Sequence, residues 1–179
     1  GGLSLPSETL ASRIAYENES RVLVVNGFDR LNSGQLIYQN MPDIGGFVDR
    51  MYLSQMNTFD YIIQHGQAIH EAGVGFDSIS NELIDDQLFA IHAQTYPVTL
   101  WMLGEESSLG ETLGTNEQDR ISQYLTGGGQ LFISGAEIAW DLDFLGSQVD
   151  QDFYQNTLLT AYVADAANSH QASGVAGSP

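Results

Sequence analysis

The chain has 179 residues, with 23 acidic against 5 basic side chains, for a formal net charge of −18. That length suits one α/β domain rather than two, and an apolar fraction of 42% supplies a buried core and excludes wholesale disorder. So acidic a surface repels phosphate backbones and anionic headgroups, which argues against nucleic-acid and membrane-surface binding. No apolar run approaches the roughly 18 residues of a membrane span.

All five basic residues are arginines, and Cys is absent. Without Cys there is no disulfide framework, no thiolate metal site and no cysteine nucleophile. No signal peptide is recognisable. The carboxylate excess suits a protein kept soluble in salt, which screens self-repulsion, and points to a secreted or cell-surface location.

Residues 1–20 read as a lead-in, with weak alternation over residues 3–15 that fits an edge strand. Arg21-Val22-Leu23-Val24-Val25 is a β-branched run of the kind buried on both faces of a parallel sheet, stopped by Asn26-Gly27. Residues 30–57 show no clean period and read as a long loop with a short helix near 46–54. Thr58 to Ala72 is the clearest helix, with Phe59, Ile62, Ile63, Gly66 and Ile69 on one face.

A second strand is expected at 74–79 and a second helix at 81–92, with Leu83, Ile84, Leu88 and Ile91 as its stripe. Pro97 to Leu103 reads as a third strand. Thr115 followed by Gln118 has the form of a capping box opening a helix to about Leu125. Gln130 to Ile133 is a fourth strand, and a last helix is expected over 152–163 with Tyr154, Leu158, Ala161 and Tyr162 inward. The α/β domain spans 21–167 and residues 168–179 form a loose tail.

Alternating strands and helices predict an α/β fold with a doubly wound, mostly parallel, flavodoxin-like sheet, in which 21–25 and 97–103 are neighbours. Ligands of such sheets sit beyond the carboxyl ends of the strands. Here those ends carry Asn26-Gly27-Phe28-Asp29-Arg30, then Asp77-Ser78 and Ser80-Asn81-Glu82, then Glu105-Glu106-Ser107, and then Ser134-Gly135-Ala136-Glu137. Polar residues at all four ends are the most informative pattern in the sequence.

The order strand, Gly104-Glu105-Glu106-Ser107, helix, Gly127-Gly128-Gly129, strand, Ser134-Gly135-Ala136-Glu137 resembles the class I glutamine amidotransferase-like fold. The longer strings, among them Val24 to Arg30, Gln64-His65-Gly66, Asp77 to Glu82 and Ser134 to Leu142, resemble a domain of secreted, multi-module bacterial proteins. These are labelled xanthan lyase or amidase and often carry a fibronectin type III module. The resemblance covers roughly residues 21–167. It implies that residues 3–15 end an upstream fibronectin-like module, that further strands follow the last helix, and that the chain is part of a longer protein. It also implies a glycine loop at Gly104 and a nucleophile elbow near Ser134. The family's Cys is missing, and the one His after Ser134 is His170, so the resemblance does not extend to ammonia transfer from glutamine.

Two functions follow from these residues. The first is a hydrolase of ester, amide or glycan-linked groups. Ser134 attacks, His65 takes its proton, Glu105 supplies a further base, and the amides of Gly104 and Gly135 hold the oxyanion. Asn26, Asp29, Arg30, Glu106, Glu137 and Trp140 then bind substrate. The second is a non-catalytic module that binds carbohydrate or another small polar ligand, or docks neighbouring modules of the same polypeptide. Each residue also has a plain structural role: Ser134 as a helix N-cap, Glu105 and Glu106 solvated or paired with Arg30, and Trp101 in the core.

His70 falls within the helix stripe and is expected to be half-buried, whereas His65 falls off it; no two histidines have metal-ligand spacing. Asp141-Leu142-Asp143 with Asp150 and Asp152 offers oxygen ligands for Ca²⁺ but lacks EF-hand spacing, and carboxylates near helix N-termini are the preferred reading. No other metal or cofactor is expected.

The charge of −18 carries its own prediction. Unscreened carboxylates repel most strongly in the compact state, so the melting temperature should fall as NaCl is lowered from molar to millimolar. A flat or rising melting temperature in a salt series would contradict it.

Overall fold

A computed structural model describes residues 8–15, 21–28, 38–49, 59–104, 111–164, 173–174 and 176–177. The four expected strands are present: β2 (Arg21–Asn26), β5 (Gly75–Ser80), β6 (Val98–Gly104) and β7 (Gln130–Gly135). They pair in parallel, with β2 between β5 and β6 and with β7 beyond β6. A two-residue strand β1 (Ser12–Arg13) joins antiparallel outside β5, making a mixed, mostly parallel sheet of order β1-β5-β2-β6-β7. Ser78 fastens that edge: its hydroxyl accepts from the Ala11 amide and donates to the Ala11 carbonyl, both at 2.7 Å.

The β-branched run of β2 is buried on both faces, as its composition requires. Val24, with Phe76 and Met102, packs under Ile62 of α1 (Ile62–Glu71). Leu23, Val25, Trp101 and Leu103 face the opposite layer, where Ile84, Ile121, Tyr124 and Phe153 are supplied by α2 (Glu82–Asp85), α3 (Thr115–Thr126) and α4 (Gln148–Asn156). From β2 the chain reaches β5 on one side through α1, and later β6 on the other side through α2 on the opposite face. Reversing direction and face together keeps one hand for both crossovers.

Several boundaries differ from the pattern. Of the short helix expected near 46–54, residues 46–49 are strand and 50–54 lie outside the described residues: Tyr38–Met41 (β3) and Gly46–Asp49 (β4) form an antiparallel hairpin around a 3₁₀ turn at Pro42–Ile44, with Gly45 at φ +77°. The first helix begins at Ile62 rather than Thr58, because Phe59 sits at φ +58°, outside helical space. His70 and Ile63 on α1 are exposed. The helix expected over 81–92 is one turn long, broken by Gln87 at φ +59°; Ile84 and Ile91 still reach the core, while Leu88 is exposed.

The N-cap of α3 is Gly114, one residue before the expected Thr115, and the Glu117 carboxylate, not Gln118, accepts from the cap amide at 2.8 Å. The last helix starts four residues early because Ser147 caps it, and it ends at Asn156. Beyond that end, Leu158 and Tyr162 remain half-buried and Ala161 is exposed.

That α4 cap sets a pH dependence. Burial alone would raise the Asp150 pKa, but hydrogen bonds from Gln118 and from the Ser147 hydroxyl and amide outweigh it and hold the carboxyl below its usual value. A depressed folded-state pKa contributes stability above the unfolded value of about 3.9, which is lost as pH falls through the folded value. Asp150→Asn should cost about 1 kcal/mol at pH 7, on the scale of a helix cap. In urea unfolding at stepped pH, the gap from wild type should close below about pH 4. A gap independent of pH would assign the cost to packing.

Candidate functional site at the strand ends

Because β5, β2, β6 and β7 are parallel, their carboxyl ends share one rim. The strand order reverses at β2, whose first crossover goes to one side and whose later one goes to the other. The crevice between the ends of β2 and β6 is where ligands of open α/β sheets bind.

Asn26 closes β2 and is almost fully buried, its side-chain amide donating to Glu8 Oε1 at 2.8 Å and to the Thr9 carbonyl at 3.3 Å. Gly27 follows, and only glycine fits there, since a Cβ would lie 2.1 Å from the Trp101 indole nitrogen. Trp101 is therefore in the core, as expected of a strand residue, with its Nε1 packed against Gly27. Among the described residues, Trp101 Nε1 and Asn26 Oδ1 are both buried without a hydrogen-bond partner.

Ser134 does not occupy the elbow. It lies inside β7, half-buried, opposite Met102 and on the α1 face of the sheet. The strand runs on to Gly135, and the Ala136 amide donates to the Gly104 carbonyl at 2.8 Å. Glu137 then takes φ +61°, and its carbonyl accepts from Asp141 at the start of the helical turn that continues into a π-helix over Trp140–Phe144. The sharp strand-to-helix turn is thus Gly135-Ala136-Glu137-Ile138-Ala139, with small residues two positions either side of Glu137. Those small residues are what a nucleophile elbow needs for its close backbone approach. A Cβ on Gly135 would lie 2.5 Å from that of Leu103. The elbow side chain is an exposed carboxylate.

The pairing of Ser134 with His65 is not formed. His65 Nδ1 lies 2.9 Å from the Tyr61 carbonyl, which only accepts, so this contact is made by the Nδ1–H. But α1 packs on β5, with Gly66 against Phe76, and three strand spacings, about 14 Å, separate β5 from β7. Asn26, Met102 and Ser134 share one register row, which places Asn26 and Ser134 about 10 Å apart. Asp29, Arg30, Glu105 and Glu106 lie outside the described residues.

Trp140 is half-buried rather than free at the surface, stacked on Phe144 at 4.4 Å and edge-on to Tyr162. The aspartates weighed as calcium ligands are engaged as acceptors. Asp141 takes the amide and hydroxyl of Thr112 at 2.8 and 2.9 Å, Asp143 takes Gln155 and the Tyr162 amide, and Asp152 takes Gln148. Among the described residues no group of three or more Asp, Glu or His side chains is placed to hold a metal ion.

The sequence reading did not single out one feature of the rim: a polar recess of about 280 Å³ between α2 and α3, lined by Asn81, Glu82, Asp85, Glu111, Gly114 and Glu117. Its signal was in part visible, because Asn81-Glu82 is one of the four polar strand ends. No protein-family model matches the chain, and neither a curated protein nor a solved structure matches it.

The elbow strain yields a test. A non-glycine residue in the left-handed region costs about 1 kcal/mol or more. Glu137→Gly should therefore stabilise the fold by up to about 1 kcal/mol, once glycine's greater chain entropy is deducted. A loss of stability in chemical denaturation would mean that the carboxylate itself holds the elbow.

Proposed function

We propose that the chain is a non-catalytic ligand-binding domain of flavodoxin-like, amidotransferase-like fold, belonging to a larger secreted bacterial protein. In this reading it binds a carbohydrate or similarly hydroxylated ligand at the strand-end rim. The observation that carries the proposal is the elbow: the turn that would present a nucleophile presents Glu137, with Ser134 three residues back inside β7. A carboxylate accepts hydrogen bonds from sugar hydroxyls without needing a base, whereas a serine inside a strand and far from His65 is not activated. The parallel strand order, second-first-third-fourth in sequence, supports the flavodoxin-like assignment.

Two measurements test this. Hydrolysis of p-nitrophenyl acetate and butyrate should show no turnover that Ser134→Ala removes. In calorimetry against a panel of neutral oligosaccharides, any that binds should bind at least tenfold more weakly to Glu137→Gln. Ester turnover abolished by Ser134→Ala would restore the hydrolase. Oligosaccharide affinity indifferent to Glu137→Gln would remove the elbow from the site.

A further inference from the structure

The two edges of the main sheet are finished differently. One is closed by β1, which is two residues long, carries Arg13 and is fastened to β5 through Ser78. A short, charged edge strand resists pairing with other chains. The other edge is β7, Gln130-Leu131-Phe132-Ile133-Ser134-Gly135, six residues with no charged side chain and no proline. That neutrality sets it apart in a chain of charge −18, and Phe132 stands 58% exposed on it.

The direction of the β7 backbone groups follows from its two ends. The Gln130 amide donates to the Pro97 carbonyl, and the Ala136 amide donates to the Gly104 carbonyl. Successive residues of a strand point their polar groups to opposite sides, so 130, 132 and 134 address β6 while Leu131 and Ile133 address the outside. Among the described residues no strand takes up that outer side. The Leu131 and Ile133 side chains lie on the α3 and α4 face. There, with Leu125, Ile138, Tyr154 and Leu158, they line an apolar groove of about 410 Å³. Phe132, between them in sequence, projects from the opposite face.

We propose that β7 is the interface of a symmetric dimer, in which two copies of this chain pair antiparallel about a two-fold axis at Phe132. In that register Leu131 of each copy lies opposite Ile133 of the other, and each pair exchanges both N–H···O bonds. The outward groups of the two copies thus satisfy one another. Phe132 lies opposite its own counterpart as a non-hydrogen-bonded pair, with about 4.5 Å between Cα atoms, so two exposed rings cover each other. The two grooves become neighbours on the other face. One register pairs the backbone and buries the ring together, and that self-match is what selects a second copy over an unrelated strand. The lack of charge on β7 lets two acidic chains approach along it once salt screens the rest. An edge about 20 Å long with one groove beside it buries less than the roughly 1,600 Å² of a standard interface, so the dimer is weak and reversible. It does not depend on the carbohydrate reading.

Sedimentation velocity of the full chain between about 10 and 500 µM, the range of a weak interface, should show a monomer–dimer equilibrium in molar NaCl. The dissociation constant should rise at least tenfold in millimolar NaCl, and at least tenfold in Phe132→Thr, which keeps a β-branched residue in the strand. The chain has no Cys, so Phe132→Cys introduces a single thiol. The expected separation of about 4.5 Å is within disulfide reach, and mild oxidation should link this variant into a covalent dimer. Gln130→Cys places its thiol on the same face but at least about 13 Å from its counterpart, and should link at least tenfold more slowly. Both positions are exposed, and thermal melts like that of wild type will show that the variants are folded. The proposal is overturned if Phe132→Thr dimerises as wild type does or if the two thiol variants link equally fast. A chain that stays monomeric at the highest concentration in molar NaCl also overturns it, and leaves the edge to a strand from another protein.

Discussion

The rest of the structure depends on the double burial of β2. Leu23, Val24 and Val25 are fully excluded from solvent, so this strand must be hydrogen-bonded on both edges and covered on both faces. Covering both faces forces the helices into two layers. Placing one crossover on each side of β2 then makes the strand order reverse there, and the reversal opens the crevice at Asn26-Gly27. The candidate site is thus a geometric by-product of how the core is covered. Its polar groups could be recruited without disturbing the apolar residues two or three positions earlier in each strand.

The second constraint is charge. With 23 acidic side chains and 5 arginines, most carboxylates have no cation available to pair with. Among the described residues they are held largely by neutral donors: Thr112 on Asp141, the Gly114 amide on Glu117, Ser147 and Gln118 on Asp150, and the Tyr162 amide on Asp143. Such bonds to an ionised acceptor are stronger than neutral ones and, unlike surface ion pairs, lose little when salt is high. The abundance of Gln and Asn beside the acidic residues has the same origin, since amides can donate without adding charge.

The parallel sheet was legible because its strands are short apolar runs bounded by turn residues, a signal that needs no tertiary information. What could not be read were positions decided by a single backbone angle. Phe59, Gln87 and Glu137 all sit at positive φ. None is glycine or asparagine, so no local propensity marks them, yet each moved a boundary: the start of α1, the end of α2 and the site of the elbow. The cap of α3 shifted for a related reason, because Gly114 can leave the helix open to Glu117 while Thr115, a conspicuous cap residue, takes the first helical position. The hairpin at 38–49 escaped because Gly45-Gly46 reads equally as loop, and pairing between its strands is invisible to periodicity. At the site, the pattern located the rim but misassigned its prominent residue. It took the hydroxyl nearest the strand end as the elbow, when the strand runs on to Gly135 before turning.

That misassignment matters for how the elbow should be understood. Strain is retained only where surrounding structure over-determines it. Here Gly135 packs against Leu103 too closely for any side chain, the Ala136 amide is fixed to Gly104, and Asp141 ties the following turn both to the Glu137 carbonyl and to Thr112. The bonds at Gly104 and Thr112 tie the elbow to the end of β6 and to the segment that leads into α3. Holding the Glu137 carboxylate out and holding the recess segment 111–114 in place are therefore two results of one set of contacts. A change at Asp141 would loosen both together, whereas a change at Glu137 acts on the elbow alone. The coupling is mechanical and local: one carboxylate, Asp141, fixes both the strand-to-helix turn and the segment that leads into α3.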